Sequence, residues 1–293
     1  MEQIKYILSL PDNIPIVGIL FLVAFYTWLW WREASKNDAL ISAGKFNQLR
    51  DESQDRIHTW PYLTRNEFLS AIILMIILTV WSIVLDAPLE EPANPSRTPN
   101  PSKAPWYFLG LQEMLVYFDP WIAGVVLPTL IIVGLMAIPY IDPNKKGNGY
   151  YTFKERPLAI STFLFGFLVL WLALIMLGTF MRGPGWNFFY PWELWDTHKV
   201  VAMTNVDLHE HFGIGSKLGA GIFGFILVGG YFALIPIIWY WKRNSWAMLK
   251  TLGPLRYSVN MFLFLSMMGL VIKMVLRLAF NIKYVWVTPW FNV

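Results

Sequence analysis

Residues 68–85 read FLSAIILMIILTVWSIVL, eighteen positions without a charge. At about 1.5 Å per residue, a helix of that length covers about 27 Å, close to the roughly 30 Å hydrocarbon core of a bilayer. Five further runs of this kind recur, at about 14–31, 121–141, 157–180, 218–241 and 257–280. The chain of 293 residues is 56% hydrophobic and 14% charged, against roughly 25% charged in ordinary soluble domains. The expected fold class is all-α: a polytopic transmembrane helical bundle of about six spans, because helices satisfy their own backbone hydrogen bonds in lipid. The opening MEQIKYILSLPDN is too short and too mixed for a cleaved leader, so the first span is expected to stay in place. Cysteine is absent. That excludes disulfides, covalently attached c-type haem and cysteine-held iron–sulfur clusters in this chain. A net charge of +4 is small for this length and supports no nucleic-acid partner.

Lys and Arg are divided unevenly among the loops. The 32–67, 142–156 and 242–256 loops hold 14 of them; the segments on the alternate side hold seven. The positive-inside rule therefore puts the basic loops in the cytoplasm and both termini on the outer, positive side. Trp28, Trp30, Trp31, Trp121, Trp239 and Trp241 fall near span ends, where interfacial anchors belong. REASKNDALISAGKFNQLRDESQDR, in the 32–67 loop, has helical patterning and mixed charge, which suits a solvated amphipathic helix or a partner contact.

The expected outer loops are the place to look for function. The 86–120 loop carries Pro88, Pro92, Pro95, Pro99, Pro101, Pro105 and Pro120, and each proline stiffens itself and its predecessor. After Pro105, WYFLGLQEMLVYF is apolar with helical spacing but too short to span, so a short surface helix is expected there. Read from the residues alone, this loop also suits a surface-packing element with interfacial aromatics.

One set of motifs resembles a known family, the C-terminal half of cytochrome b, which some complexes carry as a separate chain, subunit IV. The motifs are Asn94-Pro95-Ser96-Arg97-Thr98-Pro99, then Lys103-Ala104-Pro105-Trp106-Tyr107-Phe108-Leu109, then Asp119-Pro120-Trp121, the Asp142-Pro143 exit and the Arg156-Pro157-Leu158 entry. The resemblance covers about 66–182. It leaves an extra N-terminal span and cytoplasmic loop over 1–65, and an outer aromatic loop with two further spans over 183–293. It implies a subunit of a quinol:cytochrome c (or other acceptor) oxidoreductase, in which the 86–120 loop roofs the quinol-oxidation site. It implies menaquinol or ubiquinol at an interface lined by Pro105, Trp106, Tyr107, Phe108 and Leu109. It also implies b haems on a cytochrome b N-terminal-half chain, a Rieske iron–sulfur protein, a c-type cytochrome and lipid as partners, in a bacterial cytoplasmic or other energy-transducing membrane.

The sequence departs from that pattern at one decisive point. The family's proton-accepting glutamate is replaced by Pro105, which takes no proton. Glu113, about two helical turns on, is the candidate replacement; the alternative is that it pairs with Lys103 or Arg97. Glu90, Glu91 and Asp119 are weaker candidates at the loop's ends. Tyr107 is a candidate to hydrogen-bond quinol, and equally an interfacial aromatic.

None of His58, His198, His209 and His211 lies in a span, so the chain is expected to ligate no b haem itself. His209-Glu210-His211 shows no third ligand, and no metal is expected. GPGWNFFYPWELWD reads as a docking surface, with Trp186, Phe188 and Trp192 as its candidates. Lys273 is expected at a subunit contact, and Arg277 to snorkel. Two alternatives stand beside the catalytic reading. One is a structural or assembly subunit of the same complex; the other is a secondary transporter, against which the scarcity of charges in the first five spans counts.

Overall fold

The structure, a computed structural model, describes residues 2–10, 13–45, 57–86, 92, 94–96, 100–144, 149–201 and 205–293. Among these, helix dominates, and strand-like pairing is confined to isolated bridges. Six helices are long and apolar enough to cross a membrane: Ile14–Ser42, Thr59–Val84, Ile122–Ile141, Pro157–Met181, Lys217–Lys242 and Leu249–Phe280. The fold class is all-α, with the polytopic helices that the hydrophobic runs imply. The chain divides into two compact units that cut across the sequence division at 65 and 182.

One unit comprises Leu8–Thr98 and Gly147–Glu155. Its first span continues past Trp31 to Ser42, because REASKNDALIS has no glycine or proline and is rich in helix formers. The helix expected in the 32–67 loop is thus, as far as Ser42, an extension of the span. Ala34, Asn37 and Asp38 are buried. The Asp38 carboxylate accepts the Thr152 hydroxyl and the N–H groups of Phe153 and Lys154, the latter two at 3.1 Å each. Asn37 Nδ2 donates to the Tyr151 carbonyl at 2.9 Å, and the Trp31 and Phe153 rings meet at 5.4 Å. A strap of four residues is therefore tied to the helix extension, three through backbone groups and Thr152 through its hydroxyl. The second span, by contrast, buries no residue of Thr64–Val84 within the chain. A helix that is apolar all round belongs inside lipid or another protein.

The other unit comprises Met1–Ile7, Pro99–Lys146 and Arg156–Val293. It holds the last four spans and a short helix, Trp106–Met114. Met114, Tyr117, Phe118, Ile122, Ala123, Leu170, Leu174 and Leu270 form its main core, with Phe291 and Val293 packed against it. A second cluster, Leu249, Leu252 and Tyr257, gathers Ile235, Ile238 and Trp239. Arg156 pairs with Asp142 at 3.1 Å, closing the loop between the third and fourth spans through two residues of the quoted motifs. The segment after the sixth span folds back: Lys283 N–H donates to the Val206 carbonyl at 2.9 Å, and Leu208 N–H to the Tyr284 carbonyl at 2.8 Å. Gly224 admits it, since a Cβ there would stand 2.5 Å from the Trp286 Cα.

Lys273 and Arg277 correct their expectations. Both are buried. Lys273 Nζ donates to the Lys283 carbonyl at 2.6 Å and stands 5.6 Å from the Phe118 and Tyr284 ring centres. The folded-back segment supplies the polar partner that a subunit contact was expected to supply, and Arg277, expected to snorkel, is buried within the chain.

Candidate functional site

The Trp106–Met114 helix begins where Pro105, extended at ψ 148°, hands over to helical backbone. Its Gln-Glu pair does two separate jobs. Gln112 fastens the preceding loop: its Oε1 accepts the Ala104 N–H at 2.8 Å, and its Nε2 donates to the Ser102 carbonyl at 3.0 Å. Glu113 fastens the helix to the fourth span. Arg182 Nε donates to Glu113 Oε2 at 2.9 Å and Arg182 Nη2 to Oε1 at 2.7 Å. The Tyr117 hydroxyl donates to Oε1 at 2.8 Å. The Glu113 and Arg182 side chains are 1% and 2% exposed.

This geometry corrects the placing of Glu113. It shares a face with Leu109, four residues earlier, as helical periodicity requires, but that face is turned into the protein. Leu109 packs over Gly178. Tyr107 and Phe108, six and five residues before Glu113, are on the open side at 48% and 49% exposure. Their rings touch at 4.5 Å, and Trp106 meets Tyr107 edge-on at 5.6 Å. Trp106 is half-buried and Pro105 exposed. The ion-pair partner of Glu113 among the described residues is not Lys103 but Arg182, whose sequence signal is a lone arginine where a long apolar run meets Gly-Pro. Glu90, Glu91 and Arg97 lie outside the described residues. Asp119 caps its own chain, accepting the Trp121 N–H at 3.0 Å.

Electrostatics favour the charged form of Arg182. Burial works against the Arg182 charge, yet the hydrogen bonds and charge of Glu113 hold the guanidinium above its ordinary value. Burial, with the neighbouring carboxylate, pushes the Tyr117 hydroxyl up, so it remains a donor.

Arg182 also organises the 183–199 loop. Its Nη1 donates to the Trp186 carbonyl at 3.1 Å, holding Trp186 in left-handed backbone at φ 57°, a conformation that costs about 1–2 kcal/mol for such a residue. Its guanidinium lies 5.8 Å from the Phe188 ring centre. Of the docking candidates, Trp186 and Phe188 are half-buried. Trp192 is displayed at 73% exposure, stacked on Tyr190 at 5.1 Å.

Asp207, His209 and Glu210 bring one ligand atom each within 4.8 Å of one another, so a third group stands near His209 and Glu210. A capping box accounts for both carboxylates: Asp207 receives the Glu210 N–H, and Glu210 receives the Asp207 N–H at 3.1 Å. His58, His198 and His211 are exposed.

Residues 92–190 match the cytochrome b(C-terminal)/b6/petD family model. The match takes in about a third of the chain, from the proline-rich loop through the third and fourth spans to Tyr190. It leaves out the second span, which the sequence motifs had included. The family implies a subunit of a cytochrome bc/b6f-type complex, a membrane assembly that oxidises quinol. No solved structure matches the chain.

Proposed function

We propose that this chain forms part of the positive-side quinol-oxidation site of such a complex, with the Tyr107–Phe108 face as its contribution to the wall. One observation carries the reading: within the matched residues, two adjacent aromatics are half-exposed on a helix that is pinned at both ends. A quinone ring needs flat apolar surface and a nearby hydrogen-bonding group, and Phe108 and Tyr107 offer both. Pro105 and Trp106 shape the entry, and Leu109 roots the helix against Gly178. Glu113 is a positioning residue in this reading, since its carboxylate is engaged by Arg182 and Tyr117.

Menaquinol or ubiquinol is the substrate class. Its electrons leave to b haem and a Rieske centre on partner chains, with a c-type cytochrome beyond, and its protons leave to the positive side, where both termini also lie. Trp192 belongs to the docking surface for one of those partners, with Trp186 and Phe188 supporting it. Residues 66–182 carry the subunit IV-like part, flanked by additions over 1–65 and 183–293.

The test is a binding titration of a quinone-site inhibitor on the intact complex carrying Tyr107→Leu or Phe108→Ala. Weakening of about tenfold, on the order of 1.4 kcal/mol, is expected. Unchanged binding in both variants would sink the assignment. The assembly-subunit reading draws on one observation: among the described residues, the helix Trp106–Met114 offers no carboxylate outside an ion pair. It predicts that quinol turnover survives any substitution in this loop that still assembles.

A further inference from the structure

The end of the fifth span carries two faces. On one, Ile235, Ile238 and Trp239 pack against Leu249, Leu252 and Tyr257, so the segment leading into the sixth span closes over them. On the other, Pro236 and Tyr240, and Ile237 and Trp241, stand four residues apart and so share a side of the helix. All four are exposed. They line an open apolar groove of about 460 Å³, within the roughly 300–1,000 Å³ of ligand sites. Two cations stand at its rim. Arg243 lies 5.3 Å from the Tyr240 ring centre, and Lys242 lies 5.6 Å and 5.9 Å from those of Trp241 and Trp246. The aromatics that line the groove therefore also place the charges. Neither cation meets a carboxylate among the described residues, whose ion pairs join other groups. The shortage is built into the sequence: residues 211–293 contain eight Lys and Arg and no Asp or Glu.

We propose that this groove holds one anionic phospholipid, its phosphate between Lys242 and Arg243 and one acyl chain along Pro236, Ile237, Tyr240 and Trp241. Three features select that occupant. The groove is apolar and lies within the span, so a chain enters it without leaving hydrocarbon. The charge at its mouth is positive and unopposed; Arg meets a phosphate with two N–H donors at once, and Lys adds a point charge. The 242–256 loop is one of the three basic loops, so the positive-inside rule turns it to the cytoplasmic leaflet, whose anionic lipids attract Lys and Arg beside a span. A zwitterionic headgroup brings its own cation to the same place and gains less. The site lies beyond residues 92–190 and stands apart from the quinol-site reading.

The test uses phosphatidylglycerol and phosphatidylcholine that carry a diazirine in the same acyl chain, added to the intact protein in nanodiscs of unlabelled phosphatidylcholine. Labelled peptides are read by mass spectrometry after illumination. Phosphatidylglycerol is expected to label residues 234–241 about tenfold more than phosphatidylcholine. In Lys242→Gln/Arg243→Gln the excess is expected to vanish. Lys36→Gln/Lys45→Gln, at exposed positions on other basic segments, is expected to keep it. Unlabelled phosphatidylglycerol is expected to compete, and glycerol 3-phosphate at the same concentration is not. Equal labelling by the two lipids in the wild type, as when a protein neighbour covers the groove, overturns the proposal. So does an excess that survives Lys242→Gln/Arg243→Gln, or one lost equally in the Lys36/Lys45 control, which makes it general surface charge. Displacement by glycerol 3-phosphate overturns the lipid as occupant and leaves a site for the phosphate alone. Should the double variant not fold, Arg243→Gln, at an exposed side chain, decides by the same readout.

Discussion

Replacing Glu113 with glutamine removes one charge from a pair that is almost wholly inside the protein. The two Arg182–Glu113 contacts are 2.9 and 2.7 Å, and the side chains are 1% and 2% exposed. At an effective dielectric of about 20, unit charges about 4 Å apart attract by about 4 kcal/mol. Removing one partner of a buried pair costs about 3–5 kcal/mol, because the remaining charge keeps its desolvation penalty. Glutamine also offers one acceptor oxygen where Arg182 and Tyr117 use two. Glu113→Gln is therefore expected to destabilise by about 3–5 kcal/mol, measured as a lower thermal midpoint of the solubilised complex and loss of this chain from it. Arg182→Gln in the same background is expected to recover about 2 kcal/mol or more, since neutral amides can bond each other without a stranded charge. The refuting result is a Glu113→Gln complex as stable as wild type whose quinol turnover has nevertheless changed its pH dependence. That would make Glu113 a proton carrier rather than an anchor.

Three further perturbations have distinct readouts. Asp38→Ala removes the acceptor of three hydrogen bonds to residues 152–154 and is expected to cost about 1–3 kcal/mol, seen as faster amide exchange confined to that strap. Gly224→Ala places a Cβ 2.5 Å from the Trp286 Cα; about 1–3 kcal/mol of overpacking is expected, read as a lower thermal midpoint, and a neutral result would mean the folded-back segment is not packed there. For sidedness, cysteine at Trp192, exposed at 73%, is expected to react with an impermeant thiol reagent from the positive side of intact cells, and cysteine at Lys45 only after permeabilisation.

The spans were legible because eighteen or so uncharged residues have few other uses. Their ends were less so: Arg32 and Glu33 read as the exit of the first span, yet helix propensity carries the backbone on to Ser42. The short helix after Pro105 was legible from proline and spacing. The partner of Glu113 was not, because Arg182 stands sixty-nine positions away in sequence, and nothing local says which of several cations a carboxylate will meet. Periodicity correctly grouped Glu113 with Leu109, but it cannot say whether that face looks at substrate or at protein; here Gly178, by making room for Leu109, decides it. Lys103 read only as a possible partner of Glu113, since its actual environment is assembled by Thr179 and Trp195 from distant segments.

The bare second span has a consequence for how this protein is made. In water, exposed leucines and isoleucines drive collapse; in a bilayer, lipid tails are as apolar as they are, and that drive vanishes. Thr59–Val84 can enter the membrane on hydrophobicity alone and still have no address there, since none of Thr64–Val84 is buried within the chain. Close packing against a neighbour must supply the address. In the proposed complex, the position of that helix is then a property of the assembly, and a chain left without its neighbours presents a free span as the mark by which quality control recognises it.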